Sequence, residues 1–170
     1  MKIALILVAV VVALIAMVGV IGALLPQHHV ATRAARFKAS PERLFALIAG
    51  NQSWRPDLKV CELVTGADGT QLQRETSLRG ETIAYALEDA MPPHTIRRRI
   101  ATQNLPYGGS WRFVLEPVAG GTRVQITEDG DVYNPVFRFV SKLVVGHTAT
   151  LDAYLRALGK ATGEEIQPGN

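Results

Sequence analysis

Cysteine is almost missing from this chain. The single Cys61 among 170 residues excludes an internal disulfide and a zinc site built on cysteine pairs, and leaves the redox compartment open. Excess charge is scarce too. A formal net charge of +3 is too mild to argue for nucleic acid, and no Lys/Arg run interleaved with aromatics adds to it. Three common chemical signatures are absent. There is no G-x-S-x-G, no glycine-rich phosphate loop and no H-E-x-x-H, so serine hydrolase, nucleotide and zinc-protease readings lack their minimal residues. His28-His29 is read as an interfacial polar pair rather than a metal pair, because nothing nearby adds a third ligand at helical or strand spacing. No cofactor and no metal are expected.

Charge is also missing from Ile3 to Leu25, a run that as a helix is about 35 Å long against a hydrocarbon core of about 30 Å. It reads as an uncleaved transmembrane anchor. A signal peptide is the competing reading, since Lys2 precedes the run, but its apolar region spans only about 7–15 residues and Ile21-Gly22-Ala23 is a poor cleavage site. Orientation stays open, because Lys2 and the amino terminus oppose Arg33, Arg36 and Lys38 across the span. The expected division is residues 1–26 as anchor, 27–160 as one domain and 161–170 as a flexible tail.

What is present behind Pro26 is ordered punctuation. Val30 to Phe37 alternates as a first strand. Ser40-Pro41-Glu42 opens a short helix with a capping hydroxyl, a proline at the first helical position and a carboxylate at the positive end of the dipole. Beyond Trp54-Arg55-Pro56 come strand-like runs bounded by Gly, Pro, Asn and Asp: Val60 to Thr65, Thr70 to Leu78, Glu81 to Ala90, Thr95 to Ala101, Ser110 to Val118 and Thr122 to Glu128. The first of these runs ends at Gly66-Ala67-Asp68-Gly69. From Asn134 to Leu158 one long amphipathic helix is expected, opened by Asn134-Pro135 and closed by Gly159, Lys160 and Gly163. Its apolar stripe is Val136, Val140, Leu143, Val144, His147, Leu151, Tyr154, Leu155 and Leu158.

The order of elements resembles the START-like SRPBCC superfamily, which includes polyketide cyclase/dehydratase-like and coenzyme-Q-binding members. The resemblance rests on Ala39-Ser40-Pro41-Glu42, Trp54-Arg55-Pro56, Pro92-Pro93, Gly108-Gly109-Ser110-Trp111 and Asn134-Pro135, and covers about residues 29–160. It implies an α+β helix-grip fold, a curved antiparallel sheet of about seven strands around the C-terminal helix. It also implies an apolar cavity between the two, a site shared by binders and enzymes.

Candidate ligand contacts follow from periodicity. His147 lies at the centre of the helical stripe with Leu151 and Tyr154, and Tyr85, Trp111 and Phe113 lie on apolar strand faces. A satisfied core histidine is the plainer account of His147, and core lining the plainer account of the aromatics. Parity turns Arg74 and Arg98 inward, where buried guanidinium groups need carboxylates, water or an acceptor-bearing ligand, unless a bulge or strand end returns them to solvent. The same parity puts Glu75 on the outer face and Asp89 on the apolar side of its strand, so no pair of carboxylates converges and no catalytic residue is assigned. Three functions remain: a membrane-tethered carrier of a lipid-like or quinone-like molecule, favoured here; a small enzyme on a polyketide-like or aromatic substrate; and an interaction protein with a collapsed cavity. The expected partners are a hydrophobic small molecule and the membrane; the oligomeric state is open.

Overall fold

The computed structural model describes residues 2–66 and 69–170, and among them the chain forms seven antiparallel strands, four α-helices and one π-helical turn. The expected turn residues Ala67 and Asp68 lie outside the described residues. α1 (Lys2–Leu24) has a mean hydropathy of 3.3 and no part of its most apolar window buried. It is the one helix among the described residues long and apolar enough to cross a membrane.

The strands are β1 (His28–Phe37), β2 (Leu58–Thr65), β3 (Gln71–Ser77), β4 (Thr82–Met91), β5 (Thr95–Ile100), β6 (Tyr107–Val118) and β7 (Gly121–Val132). Their order across the sheet is β1-β7-β6-β5-β4-β3-β2. Each strand from β2 onward pairs with the next in sequence, as short Gly- and Pro-marked turns demand, and β1 closes on β7 from the far edge. The chain reaches β2 from β1 through α2 (Pro41–Ala49), which starts as expected, with the Ser40 hydroxyl accepting from the Arg43 N–H and Pro41 in the first turn.

The C-terminal helical region differs from the single helix expected. The chain makes α3 (Pro135–Val140), a π-helical turn (Ser141–Val145), a break at Gly146, and then α4 (Ala149–Thr162). Asn134 caps as read, its side chain accepting from the N–H groups of Val136 and Phe137. The break sits where Gly146 takes φ of 80°, a conformation that suits a residue without Cβ. Only α4 grips the sheet. Its Leu151, Tyr154, Leu155 and Leu158 pack with Phe37, Leu44, Ile48, Ile96, Phe113, Leu115, Val124 and Ile126 into one core.

α4 also runs past Gly159 to Thr162, with Gly163 as its left-handed cap. Gly159 is buried because the chain folds back over it: a Cβ there would stand 2.3 Å from the Ile166 side chain. Of residues 161–170, expected as a flexible tail, the first two finish α4, Gly163 caps it, and residues 164–170 are tied down. Ile166 is buried in the core, the Glu164 carboxylate accepts from the Lys38 and Ala39 N–H groups at 2.6 and 3.2 Å, and Gly169 exchanges two backbone hydrogen bonds with Ala34.

Candidate functional site

The grip is incomplete between α3, Gly146 and the middle of the sheet, and a cavity of about 450 Å³ remains there. Phe137, Val140 and Ser141 line it on the helical side, with Gly146, His147 and Thr150 from the break and the start of α4. Tyr85, Arg98, Ile100 and Trp111 line it from β4, β5 and β6, and His29 and Glu128 from β1 and β7. The wall is mostly apolar with a few convergent polar groups, the usual composition of a small-molecule site.

Those polar groups form two sets. In the first, two lining guanidinium groups, those of Arg55 and Arg98, share the carboxylate of Glu75 of β3, which is only 4% exposed. Arg98 Nη2 donates to Glu75 Oε1, and Arg55 Nη1 donates to Oε2 at 2.8 Å. Arg55 continues outward to Asp57, with Nε to Oδ1 at 3.2 Å. Burial pulls the Arg55 pKa down, but its hydrogen bonds to Asp57 and the charge of Glu75 outweigh that, and the pKa is raised. The Arg98 guanidinium stacks over the Tyr85 ring at 4.4 Å. Tyr85 is pushed up to about 12 by burial and by the Glu75 charge. Tyr154 stands one ring behind the wall, edge-on to Trp111 with centroids 5.5 Å apart, and burial raises its pKa as well. Arg98 Nε and Tyr154 Oη are buried without a hydrogen-bond partner.

The second set stands where β1 and β7 meet the break. His29 Nε2 lies 3.3 Å from Glu128 Oε1, and the His29 ring stacks on His147 with centroids 3.9 Å apart. Burial, then His29, then Lys142 lower the His147 pKa from its ordinary value. Glu128 Oε2 is buried with no partner. No group of three metal-ligating side chains forms here or elsewhere among the described residues.

The expected site residues separate into three outcomes. Tyr85, Arg98, Trp111 and His147 all line the cavity. Phe113 and Leu151 are fully buried core residues, and Tyr154 supports Trp111 from behind. Arg74 is a correction: its side chain is 51% exposed and faces Glu62 across β2 and β3 at 3.8 Å. Glu75, expected outside, takes the inward place. Parity failed because the inner face of β3 is polar, not apolar. Gln73 is fully buried there, its Nε2 donating to the carbonyls of Ala49 and Gly50 at 2.9 and 2.7 Å, where α2 runs out of its own donors. Asp89 is a second correction: the β4 ladder breaks between Glu88 and Met91, Asp89 takes φ of 45°, and its side chain is exposed. His147 sits in the turn after Gly146 rather than mid-helix, and is half-buried.

Among the lining residues that were not expected, three belong to the two polar sets: His29, Glu128 and Arg55. Alternation held the signal for two of them. His29 continues the inward parity of Ala31, Ala35 and Phe37, and Glu128 that of Val124 and Ile126. Arg55 stands in a turn, where no period applies.

Solved structures share this arrangement at low sequence identity, which compares folds alone. A START superfamily protein from Mycobacterium smegmatis aligns with a TM-score of 0.60 at 18% identity, over 79% of this chain and 97% of that one. The protein XoxI from Bacillus cereus aligns at 0.52 and 18%, over 80% and 95%. The di-domain ARO/CYC BexL aligns at 0.56 and 15%, over 84% of this chain and 49% of BexL. Among curated proteins none matches the sequence. The family model described as polyketide cyclase / dehydrase and lipid transport matches residues 28–161, which takes in the whole sheet, α2, α3 and nearly all of α4, and the chain belongs to that family.

Proposed function

We propose that this protein is a membrane-tethered binding or carrier module for a lipid-like or quinone-like small molecule held between the sheet and the C-terminal helices. The observation that carries the reading is the cavity of about 450 Å³, apolar along Trp111, Ile100, Phe137 and Val140, in a chain whose first helix is a candidate membrane span. Tethering keeps such a cavity at the source of an apolar ligand. Arg98 lines the cavity and its Nε is a buried donor without a partner, which adds a demand for an acceptor at one end of the ligand, a carbonyl or carboxylate oxygen. Extraction and mass spectrometry of the full chain purified in detergent test the reading. Ile83 of β4 also lines the cavity, and a reproducible bound apolar molecule that disappears in the cavity-filling variant Ile83→Trp is expected; an empty wild-type cavity refutes the reading.

A second reading, a small cyclase- or dehydratase-like enzyme, draws on the pairing of His29 with Glu128 beside the cavity, an arrangement suited to moving a proton. Under that reading the bound molecule is turned over rather than released unchanged.

A further inference from the structure

α3 and the π-helical turn have two apolar sides. One side faces the cavity through Phe137 and Val140. The other faces outward: Val136, Leu143 and Val144 are 44%, 57% and 69% exposed, and Phe137 and Val140 keep 48% and 38% of their surfaces open. Elsewhere outside α1, large exposed apolar residues are scattered singly over strands and turns, which is ordinary. Five within nine residues, on one short helical segment, form a patch.

The patch adjoins α1. At Gly22 the Pro135 carbonyl oxygen stands 1.9 Å from the position a Cβ would take, so the end of α1 and the start of α3 touch backbone to backbone. Arg138 Nη1 donates to the Leu25 carbonyl at 3.1 Å, satisfying one of the acceptors a helix leaves free at its end. These contacts set α3 at the level where α1 finishes. Charge agrees with that level. Between Val132 and Leu151 the only ionised residues are the basic Arg138 and Lys142, with no acidic side chain, the composition that suits the boundary of an anionic bilayer.

We infer that α3 and the π-helical turn lie in the headgroup boundary of the membrane that α1 spans and form the lid through which apolar molecules pass between bilayer and cavity. The inference rests on the reading of α1 as a membrane span and of the cavity as a ligand site. The occupant of the patch is lipid. The segment is suited to move because Gly146 breaks it from α4, and Thr148 at the start of α4 makes no side-chain capping bond. When the lid shifts, the cavity opens toward acyl chains rather than toward water.

The test uses the full chain in vesicles of phosphatidylcholine and phosphatidylglycerol, with nitroxides attached at Val11→Cys, Leu143→Cys or Leu78→Cys and the unsubstituted chain as control for the buried Cys61. Expected are oxygen-rich, water-poor environments at positions 11 and 143 and an aqueous one at 78. A lipid environment at 11 with an aqueous one at 143 overturns the lid while leaving the anchor standing. An aqueous environment at 11 overturns both. A second measurement follows uptake of pyrenedecanoic acid. The double variant Leu143→Asp, Val144→Asp touches neither cavity wall nor core. It is expected to bind the probe from detergent as the unsubstituted chain does, but to take it from vesicles about tenfold more slowly, as expected for charges set at the acyl boundary. Equal uptake from vesicles overturns the portal, and no binding by the unsubstituted chain in detergent overturns the cavity reading with it.

Discussion

Replacing Glu75 by Gln keeps the shape of the side chain and removes the one charge that Arg98 and Arg55 share. The carboxylate is 4% exposed and Arg98 only 3%, so the two are shielded from water in the folded chain. Taking one partner from a buried ion pair costs about 3–5 kcal/mol, because the remaining charge stays buried without compensation. Arg55 retains Asp57, which is 58% exposed, so the lower end of that range applies. For a domain of this size about 3 kcal/mol corresponds to a fall in melting temperature of about 10 °C. The matched control is Arg74→Gln on the neighbouring residue. Its pair with Glu62 has both side chains more than half exposed, at 51% and 56%, and such pairs contribute about 0.2–1 kcal/mol, or roughly 2 °C. Fluorescence melting reads both, since Trp54 and Trp111 lie outside α1 and both pack against Tyr154. Equal shifts for the two variants, or a larger one for Arg74→Gln, would refute the assignment of Glu75 to the inner face.

Lowering the pH through 6.5, the ordinary value for histidine, is expected to reduce stability: burial, stacked His29 and nearby Lys142 hold folded His147 below that value, so the unfolded chain takes the proton first. Denaturant midpoints at pH 8 and 5.5 read the effect. His147→Leu should flatten it; an unchanged pH slope sinks the argument. Gly159→Val should destabilise by about 1–3 kcal/mol, because a side chain there meets Ile166 at the Cβ, and the amides of residues 164–170 should then exchange faster. A melting point equal to that of the unsubstituted chain would mean that the terminal segment is not part of the core.

Turn chemistry and capping made most of the fold legible. Ser40-Pro41 and Asn134-Pro135 open helices where the residues said they would, and each strand from β2 to β7 ends at its Gly, Pro or Asn boundary within a few residues. Face assignment succeeded where the inner face was apolar, as at Arg98 between Ile96 and Ile100. It inverted on β3, where Gln73 and Glu75 turn inward because α2 carbonyls and two guanidinium groups await them there. That demand comes from distant parts of the chain, and no local period records it. Tertiary partners also explain the tail: Glu164, Ile166 and Gly169 are unremarkable in sequence and acquire their roles from Lys38, Gly159 and Ala34.

The C-terminal stripe was legible in composition and not in use. Val136, Val140, Leu143, Val144, His147, Leu151, Tyr154, Leu155 and Leu158 keep helical phase, so an unbroken helix would set all of them against the sheet. Leu143 and Val144 would then lie beside Leu151, on the side of the helix that faces the sheet. The break at Gly146 divides the stripe into two environments instead. Leu151, Tyr154, Leu155 and Leu158 are buried in the core, while Val136, Leu143 and Val144 stand exposed on the segment whose first residue, Pro135, meets the end of α1. Apolar periodicity records only that a face avoids water, and a sheet core and a bilayer satisfy it equally. The backbone distinguishes them. A glycine at positive φ after a π-helical turn redirects one half of the stripe and keeps the space between helix and sheet free for a ligand.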